Sequence, residues 1–231
     1  MSNVILACEI LENEINKALH QTKNDDTVIW LDSSLHMHPQ KLHDKLQEEI
    51  DTLDRQGAIE NILFTFGYCG NAILGLKSLA SNLIIPKVND CIELFLHGNP
   101  QKGALRSQGC YFITQGWLKS SFSIVNEFDH YIEKYGVKRT KRIMDVMLAH
   151  YHFLTMLDTG SYPMDECKLI ADEAAQKLNL QVNSEKGSIK LLIDLFSKHW
   201  SEHFCKIPPG NIVTLEHFAE LALTPSQGQT L

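Results

Sequence analysis

The sequence predicts an α/β fold, with a mostly parallel sheet or sheets and helices on both faces. Three observations predict it. Short apolar runs alternate with amphipathic stretches of 3.6-residue periodicity along the chain. The early runs are continuously apolar, as strands covered on both faces should be. Each run ends in small, polar or sulfur-bearing residues before the next helical pattern begins.

Val4 to Cys8 reads as the first strand, followed by a helical pattern with Ile10, Leu11, Ile15 and Leu19. Thr27 to Asp32 reads as the second. A helix from about Pro39 then places Leu42, Leu46, Ile50 and Leu53 on one face. Pro39 suits its first turn, where a backbone N–H is not needed. Asn61 to Phe66 gives a third strand, Gly67 to Asn71 a turn, and an apolar helix is expected through Leu79. Leu83 to Pro86 leads through Asn89-Asp90-Cys91 into the run Ile92 to Leu96.

The second half continues similarly. Cys110 to Thr114 precedes Gly116-Trp117 and one long helical region to Tyr135. Further helices are expected over about Thr140 to Tyr151, Met164 to Leu178 and Ile189 to Phe196. Strands are expected over Phe153 to Leu157, near Leu180 to Val182, and at Phe204 to Ile207. The chain reads as one α/β domain over residues 1–222. A two-lobe split near 98–136, giving two small Rossmann-like halves, stays open. Residues 223–231 lack apolar content and read as a mobile tail.

Composition narrows the function. With 231 residues, 44% hydrophobic and 21% charged, the chain can bury a core without staples. The net charge is −7, and the densest basic patch is short, Lys138, Arg139, Lys141 and Arg142. It reads as a solvated helix start, so no nucleic-acid partner is expected. No segment approaches the ~18 apolar residues that span a membrane. Leu6-Ala7-Cys8 looks like the end of a lipoprotein signal, but only a few residues precede Cys8 and none is basic. A cytoplasmic location follows as an expectation. Six cysteines, at 8, 69, 91, 110, 167 and 205, include no CxxC pair. A disulfide framework, a zinc ribbon and a thioredoxin-type motif are therefore not expected. GxxxxGK[ST], GxGxxG after the first strand and GxSxG are all absent.

In open parallel sheets, ligands bind outside the carboxyl ends of the strands. The unusual residues fall there. Cys69, between Gly67 and Gly70, is expected to open a helix whose dipole would favour thiolate. Asp90-Cys91 has the same placement, with Asp90 as a cap. His36 and His38 would point to opposite sides of an extended segment, and His36 is the one expected to reach the crevice. Cys8 ends the first strand. Cys8, His36, Cys69 and Cys91 together suit zinc or another thiophilic metal. Cys69 and Asp90 are the catalytic candidates. Tyr68, Gly70, Asn71 and Trp117 are the candidates for contacting a cofactor or a small-molecule ligand. The plainer readings are a buried small residue for each thiol, a loop histidine for His36, and core packing for Trp117. Cys110, Cys167 and Cys205 read as structural. His199 and His203, four apart, read as surface residues.

Ala7-Cys8-Glu9, Trp30-Leu31-Asp32 with Leu35-His36 and Pro39, Gly67 to Asn71, Ile85-Pro86 with Asp90-Cys91-Ile92, and Tyr111 to Trp117 together resemble the family called domain of unknown function 1638. Asp158-Thr159-Gly160 and Pro208-Pro209-Gly210 fit its later half, so the resemblance spans about residues 3–215. His97-Gly98 departs from the family, where a glycine pair is more usual. The resemblance implies an association with corrinoid-dependent methyl transfer, and so one-carbon or methyl-group metabolism. It implies a corrinoid, a corrinoid protein or a methyltransferase as cofactor or partner. Three roles stay open at this point: a metal-dependent methyl- or group-transfer enzyme, an accessory binding partner without catalysis, and a metal-free cysteine-nucleophile enzyme.

Overall fold

The expected alternation of strand and helix is what the computed structural model contains over its described residues, 2–219. The tail expected at 223–231 lies outside them. In chain order the first elements are β1 (Ser2–Cys8), α1 (Glu12–Thr22), β2 (Thr27–Leu31), α2 (Pro39–Gln56), β3 (Ile59–Phe64), β4 (Asn82–Pro86) and α3 (Cys91–Leu96). Then follow α4 (Lys102–Ser107), β5 (Cys110–Ile113), α5 (Gln115–Lys119), α6 (Ile124–Tyr135), α7 (Val137–Met147), β6 (Phe153–Asp158), α8 (Met164–Leu178), β7 (Gln181–Lys186), α9 (Lys190–Phe196) and β8 (Phe204–Ile207). They form two units: residues 2–95 with 189–219, and residues 96–188. None of the described helices is long and apolar enough to cross a membrane.

The first unit is built on a five-stranded sheet in the order β2-β1-β3-β4-β8. The first four strands are parallel, and β8 runs antiparallel on β4. β1 is buried from Asn3 to Cys8, and β3 is buried from Asn61 to Phe64. β2 departs from the expectation of burial on both faces. It is the sheet edge, and Trp30 on it is 37% exposed. α2 buries Leu42, Leu46, Ile50 and Leu53, the expected stripe, and begins at Pro39.

Buried amides pin the register. Asn3 donates to Asp26, Asn61 donates to Asn3 and Asn82 donates to Asn61, at 2.9–3.1 Å. Asn3 faces Asn61 and Asn61 faces Asn82 across the sheet. A one-residue slip would leave these buried groups unpaired, so the ladder selects one alignment. It sits at the amino ends of the strands, away from their carboxyl ends.

Two expectations fail in informative ways. The apolar stretch to Leu79 is not a helix. After Cys69–Asn71 the chain runs through turns, and Ala72, Ile73 and Leu76 are buried all the same. Distant groups stabilise this path: Asp54 accepts from Ser78 Oγ and from the Leu79 amide, and Lys77 bridges to Ile212. The helical region to Tyr135 is also interrupted. Ser123 caps α6 by accepting from the Asn126 amide, and Asn126 donates to the Ser120 carbonyl. Serine offers the backbone such local alternatives to continued helix.

The second unit carries a three-stranded parallel sheet, β5-β6-β7. α8 packs on β6 and β7, and α6 packs against both α7 and α8.

Close approach of two loops gives a direct test of the first unit. A Cβ on Gly67 would lie 2.5 Å from the Val88 carbonyl oxygen and 2.7 Å from its Cγ2. Gly67→Ala is expected to destabilise by about 1–3 kcal/mol in urea denaturation, as overpacking does. Gly103→Ala, in α4 with open space around it, is expected to be neutral or stabilising by up to about 1 kcal/mol.

Candidate functional site

The order β2-β1-β3-β4 contains a switch point. From β1 the chain moves outward to β2, then crosses back so that β3 lies on the other side of β1. Ligand crevices of open α/β sheets form outside the carboxyl ends of the strands at such a point. Four strand ends contribute here. Cys8 is the last residue of β1. Asp32 follows β2 and heads a 3-10 turn, Ser33–Met37, that carries Leu35 and His36. Thr65 and Phe66 prolong β3, and the Thr65 amide still donates to the Leu6 carbonyl at 3.1 Å. Cys91 opens α3 after β4.

Backbone contacts hold these ends together. The Tyr68 amide donates to the Val88 carbonyl at 2.7 Å, and the Cys69 amide to the Asn89 carbonyl at 2.8 Å. The turn that follows is fixed from both sides. Asp90 accepts from the Glu93 amide, and the buried Glu93 carboxylate accepts from the Asn89 amide and side chain, at 2.8–2.9 Å. Asp90 therefore is the expected cap. Cys69, Gly70 and Asn71 all adopt left-handed backbone angles, with φ of 44°, 62° and 76°. For Cys69 and Asn71 that conformation costs of order 1 kcal/mol or more each, strain of a kind that collects at functional sites.

Cys8, His36, Cys69 and Cys91 line one pocket. Asp32 and Thr65 add polar groups to its wall, and Ile10, Leu35, Leu42 and Phe66 complete it. The open space at its centre is about 10 Å³, room for one water-sized particle. Among the described residues, no three His, Cys, Asp or Glu side chains converge closely enough to hold a metal ion. The donors share a wall without closing on one point.

The electrostatics correct one expectation. A thiolate at Cys69 was to be favoured by a helix dipole, but only a three-residue turn follows it, with left-handed angles. Burial instead pushes the Cys69 thiol up to about 12, with the Asp90 carboxylate adding to the effect. Burial pushes Cys8 up to about 11, and Glu9 and Asp32 add to it. Burial lowers His36, against an opposing pull from Asp90. Hydrogen bonds from Ser34 hold Asp32 below the usual carboxylate range. At neutral pH the pocket therefore holds the Cys8 and Cys69 thiols protonated and the His36 imidazole uncharged.

The other candidates lie elsewhere. His38 is exposed at the N-cap of α2, outside the pocket wall. Tyr68 is half-buried and its ring lies 5.8 Å from that of Phe218. Gly70 is exposed over Pro39, and Asn71 is exposed beside it. Trp117 belongs to the second unit, where it is buried. Sequence reasoning overlooked Asp32, Thr65 and Phe66 as wall residues. Each directly follows the apolar core of a strand or prolongs it, so the strand-end rule applied to every strand would have found them.

A family model described as "Protein of unknown function (DUF1638)" matches residues 30–196. That span includes Asp32, His36, Cys69, Asp90 and Cys91 and leaves Cys8 outside. No curated protein and no solved structure matches the chain.

The lowered His36 makes stability pH-dependent. In the unfolded chain the imidazole takes up a proton below about 6.5, while the folded chain resists until its lower value is passed. Stability is therefore expected to fall as pH drops through 6.5 toward the folded value. The thermal midpoint between pH 7 and 5 checks this, and His36→Gln is expected to flatten that slope.

Proposed function

This chain belongs to the family of unknown function DUF1638, and we propose that it binds one thiophilic metal ion, such as zinc, at the strand ends of its first unit. One observation carries the reading: three thiols and an imidazole, from four separate strand ends, line one ion-sized pocket at the switch point of the sheet. Cys8, His36, Cys69 and Cys91 would be the ligands. Sulfur and nitrogen donors of this kind suit zinc or a softer ion. Asp90, capped against α3 and close enough to act on His36, would orient the imidazole and take part in proton handling.

The state of the thiols supports metal over a metal-free nucleophile. A thiol pushed up to about 12 is a poor nucleophile near neutral pH. A cation would supply the missing compensation, because a thiol that binds metal does so deprotonated. Binding would draw the side chains inward from the pocket wall. The chemistry a bound ion supplies here is Lewis acidity and thiolate formation at neutral pH. The methyl-transfer setting rests on the family resemblance. The space suits an ion and is far too small for a corrinoid ring, so a corrinoid would be presented by a partner protein or methyltransferase. A purely accessory role with the same site would show metal binding without group transfer.

Elemental analysis of anaerobically purified protein tests the reading, beside Cys69→Ser and Cys91→Ser. Near-stoichiometric metal is expected in the wild type, with a loss of at least about tenfold in affinity in each variant. A wild type that stays metal-free after reconstitution would sink it.

A further inference from the structure

Two helices of the second unit expose faces of opposite character. α7 buries Thr140 and Met144. Its opposite side carries Lys138, Arg139, Arg142 and Val146, with Asp145 on one flank, and Val146 is 78% exposed. α8 buries Cys167, Ala171, Ala174, Ala175 and Leu178. Its opposite side carries Asp165, Glu166, Asp172 and Glu173 around Leu169, which is 71% exposed. Each face is therefore one bare aliphatic side chain ringed by charge, cationic on balance on α7, where three cations outnumber Asp145, and anionic on α8.

These charges are not spent within the chain. Among the described residues, none of those three cations or four carboxylates joins an ion pair. Arg139 is stacked 5.1 Å over the Tyr135 ring, which holds its side chain in place without an anionic partner among the described residues. The spacing also matches. Arg139, Arg142 and Val146 follow at steps of three and four, as do Glu166, Leu169 and Glu173.

We infer that the second unit mediates self-association, with the cationic face of α7 in one copy docked on the anionic face of α8 in another. α6 packs against both helices, so both faces belong to elements joined through it. A two-fold axis near α6 would close both contacts at once, α7 on α8 and α8 on α7, as an isologous dimer requires. Val146 and Leu169 would form the apolar centre, with charge at the rim. A polyanion such as nucleic acid suits the layer poorly. The four carboxylates of the α8 face lie on the same unit, and the chain as a whole carries −7.

Sedimentation equilibrium of the full chain at low ionic strength tests this. A dimer is expected, weakening as salt rises. Arg142→Glu is expected to weaken it at least about tenfold, since like charges would then face each other. Adding Glu173→Arg to that variant is expected to restore association. Both positions are exposed, and circular dichroism checks that the variants fold. A wild type that stays monomeric at about 100 μM protein would overturn the inference. So would a dimer that Arg142→Glu leaves unchanged, or a double variant no tighter than the single one.

Discussion

Two backbone hydrogen bonds, from the amides of Tyr68 and Cys69 to the carbonyls of Val88 and Asn89, fix the site in place. They tie the turn after β3 to the turn after β4. Without them Cys69 and Cys91 would sit on independent loops. The approach is close enough that position 67 tolerates no Cβ. The same contact forces the chain to turn sharply, and the left-handed angles at Cys69, Gly70 and Asn71 are where it does so. At the opposite end of the sheet the ladder of Asn3, Asn61 and Asn82 sets the register that brings the strand ends level.

Burial then decides the chemistry. The walls contributed by Ile10, Leu35, Leu42 and Phe66 strip water from the thiols, and carboxylates nearby deepen the cost of a thiolate. Each pKa unit of such a shift corresponds to about 1.4 kcal/mol between protonation states. A pocket of this kind holds the Cys8 and Cys69 thiols neutral, and under the proposed reading a cation would be what draws their protons off. Metal binding would therefore release protons, one each from Cys8 and Cys69, while His36, already uncharged near neutral pH, would release none.

Much of this was legible in the sequence. Continuous apolar runs located β1, β3 and β4, the 3.6-residue stripe located α2, and the strand-end rule pointed to Cys8, His36, Cys69 and Cys91. What escaped was whatever depends on distant partners. Ala72 to Leu79 has the apolar content of a helix, but Asp54 and Ile212, far along the chain, set its path. The break before α6 was local, since Ser120 and Ser123 are capping residues in plain view. The protonation of Cys69 could not be read from its neighbours. Flanking glycines suggested a helix start, and only the fold reveals a short left-handed turn whose thiol faces the pocket wall. The edge position of β2 was equally hidden, because an apolar strand can be paired on one side only.

The central proposal is that Cys8, His36, Cys69 and Cys91, on the wall of one pocket, would close on one ion. X-ray absorption at the zinc edge, on protein loaded with one equivalent of zinc, tests it most directly. The account predicts a first shell of three sulfur atoms and one nitrogen, at about 2.3 and 2.0–2.1 Å. A shell of oxygen and nitrogen alone would contradict it and place the ion away from the thiols.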